Sequence, residues 1–234
     1  MPLNVLHISD SDVGGGAART AYSIHRRLKV LGHDSHMLVG RPLSGDADVR
    51  SIKRNVAWRA ADRMAAAAFD RASLQYVFYP SSFAVPRDPW FRSADVVQLY
   101  NLHGSYFSFT ALPALTRSRP VFWVLQDQWA MTGHTSYSFD CERWRHGCGE
   151  CPYLSVYPPL DRDTTAALWR LKRAVYRRSR LTLVVPSRWL EHLTRESPLL
   201  RELPVHRIPH GIDTTVFAPG SQAEARRKLK LPLD

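Results

Sequence analysis

The chain has 234 residues, 44% of them apolar and 23% charged, which is the make-up of one ordinary α/β domain or two small ones and excludes disorder, collagen and coiled coil. No apolar run nears the roughly 20 residues of a membrane-spanning helix, and Asp10 and Asp12 interrupt the amino terminus before a signal-peptide core could form, so a cytoplasmic location is expected. Lys and Arg (32) outnumber Asp and Glu (21) for a formal net charge of +11, a field that steers anionic partners such as phosphorylated small molecules or lipid headgroups.

Residues 4–8 form a short apolar run followed by Gly14, Gly15 and Gly16, after which Ala18, Ala21, Ile24, Leu28 and Leu31 recur at helical spacing until Gly32. This predicts strand, glycine loop and helix, and residues 36–39 predict a second strand completing a βαβ unit. Trp58, Ala61, Ala65, Ala68, Phe69 and Ala72 mark an alanine-rich helix. Residues 80–89, bounded by prolines, read as a loop. Four further runs, 95–100, 121–125, 181–185 and 205–208, are rich in β-branched or aromatic residues and separated by crossover-length segments. The fold class expected is therefore α/β: a doubly wound, mostly parallel Rossmann-like sheet with helices on both faces. Ligands of such sheets bind beyond the strand carboxyl ends, here residues 9–16, 100–106, 126–134, 186–189 and 209–213.

The glycine loop suits a phosphate held at a helix amino terminus, or it is only a tight turn. It is not a dinucleotide fingerprint, since Arg19 stands where a third glycine belongs. Cys148 and Cys151 form a Cys-x-x-Cys knuckle with Cys141 six intervening residues upstream. With His134 or His146 as a fourth ligand they would suit a structural zinc; without one they are reduced thiols filling a loop. Arg170, Arg173, Arg177 and Arg180 share one helical face, thickened by Lys172 and Arg178, with Leu168, Leu171 and Val175 on the opposite, core-facing side. That stripe would draw the protein to an anionic membrane surface, or it is a solvated face. Tryptophans are not interleaved with these arginines, so no nucleic-acid partner is expected.

Together these blocks resemble a family. Ser9-Asp10 with Gly14-Gly-Gly-Ala-Ala-Arg19, Asn101-Leu-His103-Gly-Ser-Tyr106, Asp127-Gln-Trp129-Ala-Met-Thr-Gly133-His134, Cys141-Glu-Arg-Trp144 with Gly147-Cys148-Gly-Glu-Cys151-Pro152, Pro186-Ser187-Arg188-Trp189 and Ile208-Pro-His-Gly211-Ile-Asp213 occur in the order seen in the amino-terminal domain of family-4 glycosyltransferases. They are most similar to the branch that builds bacterial exopolysaccharides such as colanic-acid-like polymers. The resemblance implies one half of a GT-B architecture, a retaining transfer needing no metal for chemistry, and a nucleotide diphosphate sugar as donor. Residues 1–218 would form the acceptor-side domain, with a Cys/Trp-containing loop at about 127–160, and 219–234 a linker and the start of a carboxy-terminal donor domain.

The resemblance places substrate contacts at Gly14, Gly15, Gly16, Asn101, His103, Asp127, Trp129, His134, Ser187, Arg188, Gly211 and Asp213. The acceptor would be a saccharide or lipid-linked glycan, met at the inner face of the cell membrane. Relatives often carry His at the positions of Gln98, Tyr100 and Gln126, which leaves His103 and Asp127 as catalytic candidates. Many carry a further Cys where this chain has Thr135, which leaves a four-thiolate metal site incomplete. The expected function is thus the acceptor half of a hexosyltransferase, inactive alone. A stand-alone sugar- or lipid-headgroup-binding domain is the alternative.

Overall fold

The computed structural model describes residues 1–233. Seven strands form one sheet: β1 (Asn4–Ser11), β2 (Asp34–Arg41), β3 (Val49–Ser51), β4 (Val96–Leu99), β5 (Val121–Val124), β6 (Leu181–Val185) and β7 (Val205–Arg207), in the spatial order β3-β2-β1-β4-β5-β6-β7. Every neighbouring pair is parallel, with Asn4 opposite Asp34 and Val5 opposite Val96 at the centre. Parallel neighbours cannot be joined by tight turns, so each connection crosses a face.

The alternation of side chains along the strands divides the core in two. Leu6, Ile8, Val97, Leu99, Val121, Trp123, Leu183 and Val185 face the larger cluster. Helices α2 (Val56–Arg71), α3 (Pro80–Ala84), α4 (Pro89–Ser93), α5 (Leu112–Thr116), α6 (Thr165–Tyr176) and α7 (Arg188–Glu196) follow the strands that feed this side. The opposite face is covered by α1 (Gly16–Val30), where Ala21 meets Met37, Val39 and Val49.

That second face contains a polar network. His7 is fully buried, within hydrogen-bond distance of Tyr100 Oη (3.1 Å) and Ser35 Oγ (3.0 Å), and Tyr100 Oη donates to Gln98 Oε1 at 3.0 Å. Burial, followed by the nearby His25, pushes the His7 imidazole down to about 3, so the ring is held neutral. Tyr100 is thereby committed to the core.

The expected strands all form, and β3 is additional: three residues are too few for a periodic signal. Residues 80–89, expected to be a loop, contain α3, a 3-10 turn and the start of α4. Pro80 and Pro89 open these helices, because a proline in the first turn lacks only an N–H that would have no helical partner. The Asp88 side chain caps α4 by accepting from Trp90 N–H. Beyond β7 the chain lies outside the sheet, and α8 (Gln222–Lys228) buries none of its residues.

Candidate functional site

The parallel sheet brings the loops after β1, β4 and β5 to one end. Gly14 N–H donates to Ser11 Oγ at 2.7 Å, and a Cβ there would stand 2.4 Å from that oxygen. Gly15 caps α1 with φ +145° and no side-chain cap, and a Cβ on Gly15 or Gly16 would meet nothing within 4 Å. Gly14, Gly15 and Gly16 are exposed at the start of α1. Asp12 braces this turn. Its carboxylate accepts from Ser44 N–H at 2.7 Å and Leu43 N–H at 2.9 Å; burial acts to raise its pKa, but these hydrogen bonds bring it below the usual carboxylate value.

Beside this turn, Asn101, His103, Gln126, Asp127 and Trp129 line a recess of about 180 Å³. Asp127 Oδ1 accepts from Trp129 N–H at 2.9 Å, and Oδ2 lies 2.7 Å from His103 Nε2. With Nε2 protonated toward Asp127, Nδ1 presents its lone pair toward Tyr157 Oη at 3.4 Å. Asp10 approaches Gly104 and pairs with Arg41 at 3.8 Å. Burial raises the Tyr157 phenol, helped by the charges of Asp10 and Asp127. A carboxylate-oriented imidazole beside a phenol is suited to binding and orienting a hydroxyl group.

Other expected residues lie elsewhere. Trp129 is 2% exposed and packs edge-on to Tyr76, Phe109 and Trp123, so it forms the floor rather than a face open to ligand. Ser187 caps α7 by accepting from Leu190 N–H at 3.1 Å, and Arg188 is exposed. Gly211 and Asp213 are exposed, with Asp213 accepting from Thr215 N–H and Oγ1. Gln126 Nε2 is 3.3 Å from His210 Nε2, so the outgoing linker reaches back to the recess.

His134 belongs to a different recess, of about 320 Å³, shared with Cys141, Cys148 and Cys151. His134 Nδ1 is 2.8 Å from the Pro158 carbonyl and Nε2 is 3.4 Å from Cys151 Sγ. Burial pushes the Cys148 thiol up to about 11 and also raises Cys151. All three cysteines are free. Among the described residues, no three His, Cys, Asp or Glu side chains gather as a metal-holding set.

Of the expected arginine stripe only Arg170 and Arg173 lie within α6, which ends at Tyr176; Arg177 is its C-cap and Arg180 lies beyond the helix, so the four do not share one helical face, although all are exposed and Leu168 and Val175 are buried. Lys172 requires correction: it is 1% exposed, not part of the stripe. Its ammonium donates to the carbonyls of Trp129 (2.6 Å) and Thr132 (3.0 Å) and sits 3.6 Å from the Trp129 ring centroid. Two positions after the exposed Arg170, a residue is turned onto the other side of the helix. Here the loop backbone offers acceptors that a hydrophobic residue would leave unpaired. Sequence reasoning missed Lys172 and Tyr157, because both act through contacts distant in the chain.

A Rossmann-like parallel sheet carries a glycine loop and a polar recess at its carboxyl end. The chain belongs to glycosyltransferase family 4, whose family model matches residues 14–216. It is 27% identical over 187 residues to the putative colanic acid biosynthesis glycosyl transferase WcaC of Escherichia coli (strain K12), an alignment covering 75% of this chain and 46% of that protein. The chain thus spans about half the length of this curated relative. No helix among the described residues is long and apolar enough to cross a membrane.

Two predictions follow from the cysteine loop and its anchor. Burial brings the Lys172 ammonium down to about 7, whereas the unfolded chain holds that proton to about 10.4. The unfolded state therefore binds more protons between these values, and Lys172 adds stability as pH rises across them and loses it as pH falls toward 7. Urea midpoints at pH 7 and 9 should show this increment in the wild type relative to Lys172→Met; identical pH dependence in the two proteins would contradict it. Metal analysis of the purified chain should find well under one zinc per chain, because among the described residues no three His, Cys, Asp or Glu side chains gather around one point and Thr135 offers no thiolate. One tightly held zinc, lost on Cys148→Ser, would contradict that expectation.

Proposed function

We propose that this chain is the acceptor-side domain of a retaining hexosyltransferase that moves a sugar from a nucleotide diphosphate donor to a saccharide or lipid-linked acceptor. The reading rests on one observation above the others, the His103 imidazole oriented by Asp127 at 2.7 Å at the carboxyl end of the sheet. In this reading His103 Nδ1 accepts the hydrogen bond of the acceptor hydroxyl, Tyr157 and Asn101 flank it, and Asp127 keeps the ring in the Nε2-protonated form. The open amino terminus of α1 faces the donor diphosphate without a competing side chain.

Residues 1–218 form this domain, and residues 219–234 lead toward a carboxy-terminal domain that holds most of the nucleotide sugar. No metal takes part in the chemistry. Positive charge developing on the sugar ring and negative charge on the leaving diphosphate both need preorganised partners. The 234 residues supply few of those for the diphosphate. The similarity to a colanic acid biosynthesis glycosyl transferase favours a polysaccharide or lipid-borne glycan as acceptor and a location at the inner face of the cell membrane.

In the full-length protein, His103→Ala should lower kcat/KM for the acceptor by about 100-fold, and Asp127→Asn by roughly tenfold or more through loss of ring orientation. The affinity for the nucleotide sugar should be unchanged in both. Unchanged transfer by His103→Ala would contradict the assignment. The 234-residue chain alone should turn over no UDP- or GDP-sugar; turnover that is lost on Gly15→Val would show that the donor site is already complete within it.

A further inference from the structure

Four aromatic side chains outside the His103 recess form a connected surface beside it. Tyr137, Phe139 and Trp189 are 49%, 55% and 50% exposed. The Tyr137 and Trp189 rings are 6.4 Å apart and tilted by 30°, Phe139 stands 4.8 Å from Tyr137, and Tyr153 lies 5.0 Å from Phe139.

The two central rings flank a buried clamp. Ser138, between them, donates its N–H to Gln128 Oε1 at 2.8 Å, and Gln128 Nε2 donates to Ser138 Oγ at 3.0 Å, with both residues buried. Phe139 adopts φ +51°, a conformation that a bulky residue enters only at a cost. An exposed ring held in that way gains little from core packing, so its benefit lies in a contact outside the fold. The surface also continues into the recess. Ser136 N–H donates to the Tyr157 carbonyl at 3.1 Å, and Tyr157 Oη faces His103 Nδ1 at 3.4 Å. Val124 of β5 pairs with Val184 of β6, so Asp127 and Trp189 both lie just beyond the carboxyl ends of adjacent strands.

The composition indicates the ligand. Residues 136–140 read Ser, Tyr, Ser, Phe, Asp, aromatic alternating with polar, with no aliphatic side chain among them. A sugar ring has a face of polarised C–H bonds and a rim of hydroxyls. The electron-rich face of an aromatic ring meets the first, and flanking polar groups meet the second. We propose that Tyr137, Phe139 and Trp189 form a stacking subsite for the sugars next to the reacting one in an oligosaccharide acceptor. The inference rests on the reading of the recess as the acceptor site and extends that site along the saccharide.

Calorimetric titration of the full-length protein with cellobiose and cellotetraose, whose rings carry only C–H bonds on their faces, tests this. Cellotetraose should bind roughly tenfold more tightly than cellobiose. Tyr137→Ala/Phe139→Ala should bring the two affinities close to equality, and Trp189→Ala should narrow the gap. His103→Ala should weaken both sugars alike and keep their ratio. Binding of neither sugar, equal affinities in the wild type, or a ratio that the aromatic variants leave intact would overturn the inference. So would a double variant that keeps the ratio but melts several degrees lower or turns a dimer into monomers, which would make the surface a protein interface. Transfer by the same proteins is read separately. Unchanged transfer by His103→Ala with the ratio still dependent on Tyr137 and Phe139 removes the recess assignment and keeps the stacking subsite.

Discussion

Parallel pairing of all seven strands is the constraint from which the other features derive. It forces every connection across a face, and it brings the loops after β1, β4 and β5 side by side at one end. The glycine turn at 14–16, His103 and Asp127, far apart in sequence, thereby share one region. Gly40 shows how tightly the loops interlock there: a Cβ at that position would stand 2.6 Å from Tyr106 Cβ and 2.7 Å from the Asp10 carbonyl. The close approach of the Tyr106 loop to β1 and β2 depends on its absence.

The recess is rigid because its polar groups are held by backbone. Trp129 N–H fixes Asp127, Asp127 fixes His103, and the Lys172 ammonium holds the carbonyls of Trp129 and Thr132 from below. Gly133 then lets the loop approach α6 so closely that a Cβ would lie 2.7 Å from the Thr165 carbonyl. The cysteine loop is thus tied to the sheet by hydrogen bonds and close packing. A buried ammonium that charges near neutrality is a costly anchor, and its two carbonyl partners and the Trp129 ring offset that cost.

The sheet was legible in the sequence because the runs ending in Ile8, Val39, Tyr100, Leu125 and Val185 carry the dense β-branched and aromatic composition of strands buried on both sides. His103 and Asp127 were legible as candidates by motif. Their partnership was not, since a 2.7 Å contact between residues 24 apart has no local signature. Lys172 read as surface because arginines surround it in sequence, and only the unpaired carbonyls of a distant loop explain its burial. Residues 80–89 read as loop because prolines punctuate them, although prolines also open helices. Trp58, Ala61, Ala65 and Phe69 of α2 are half-buried, as their helical spacing implies, but the burial of Asp62 was not legible because its partner Ser81 lies 19 residues on.

The central claim is that Asp127 orients His103 so that Nδ1, which faces Tyr157 Oη at 3.4 Å, carries the lone pair that receives a hydroxyl. Long-range 15N correlation spectra of the histidine side chains, recorded at a pH where the His103 ring is neutral and assigned by comparison with His103→Gln, test it directly. The account predicts a proton on Nε2 and an unprotonated Nδ1, with the Asp127→Asn protein losing that strict preference. A His103 protonated on Nδ1 in the wild type would contradict it, because the lone pair would then face Asp127 and no acceptor would remain for the sugar hydroxyl.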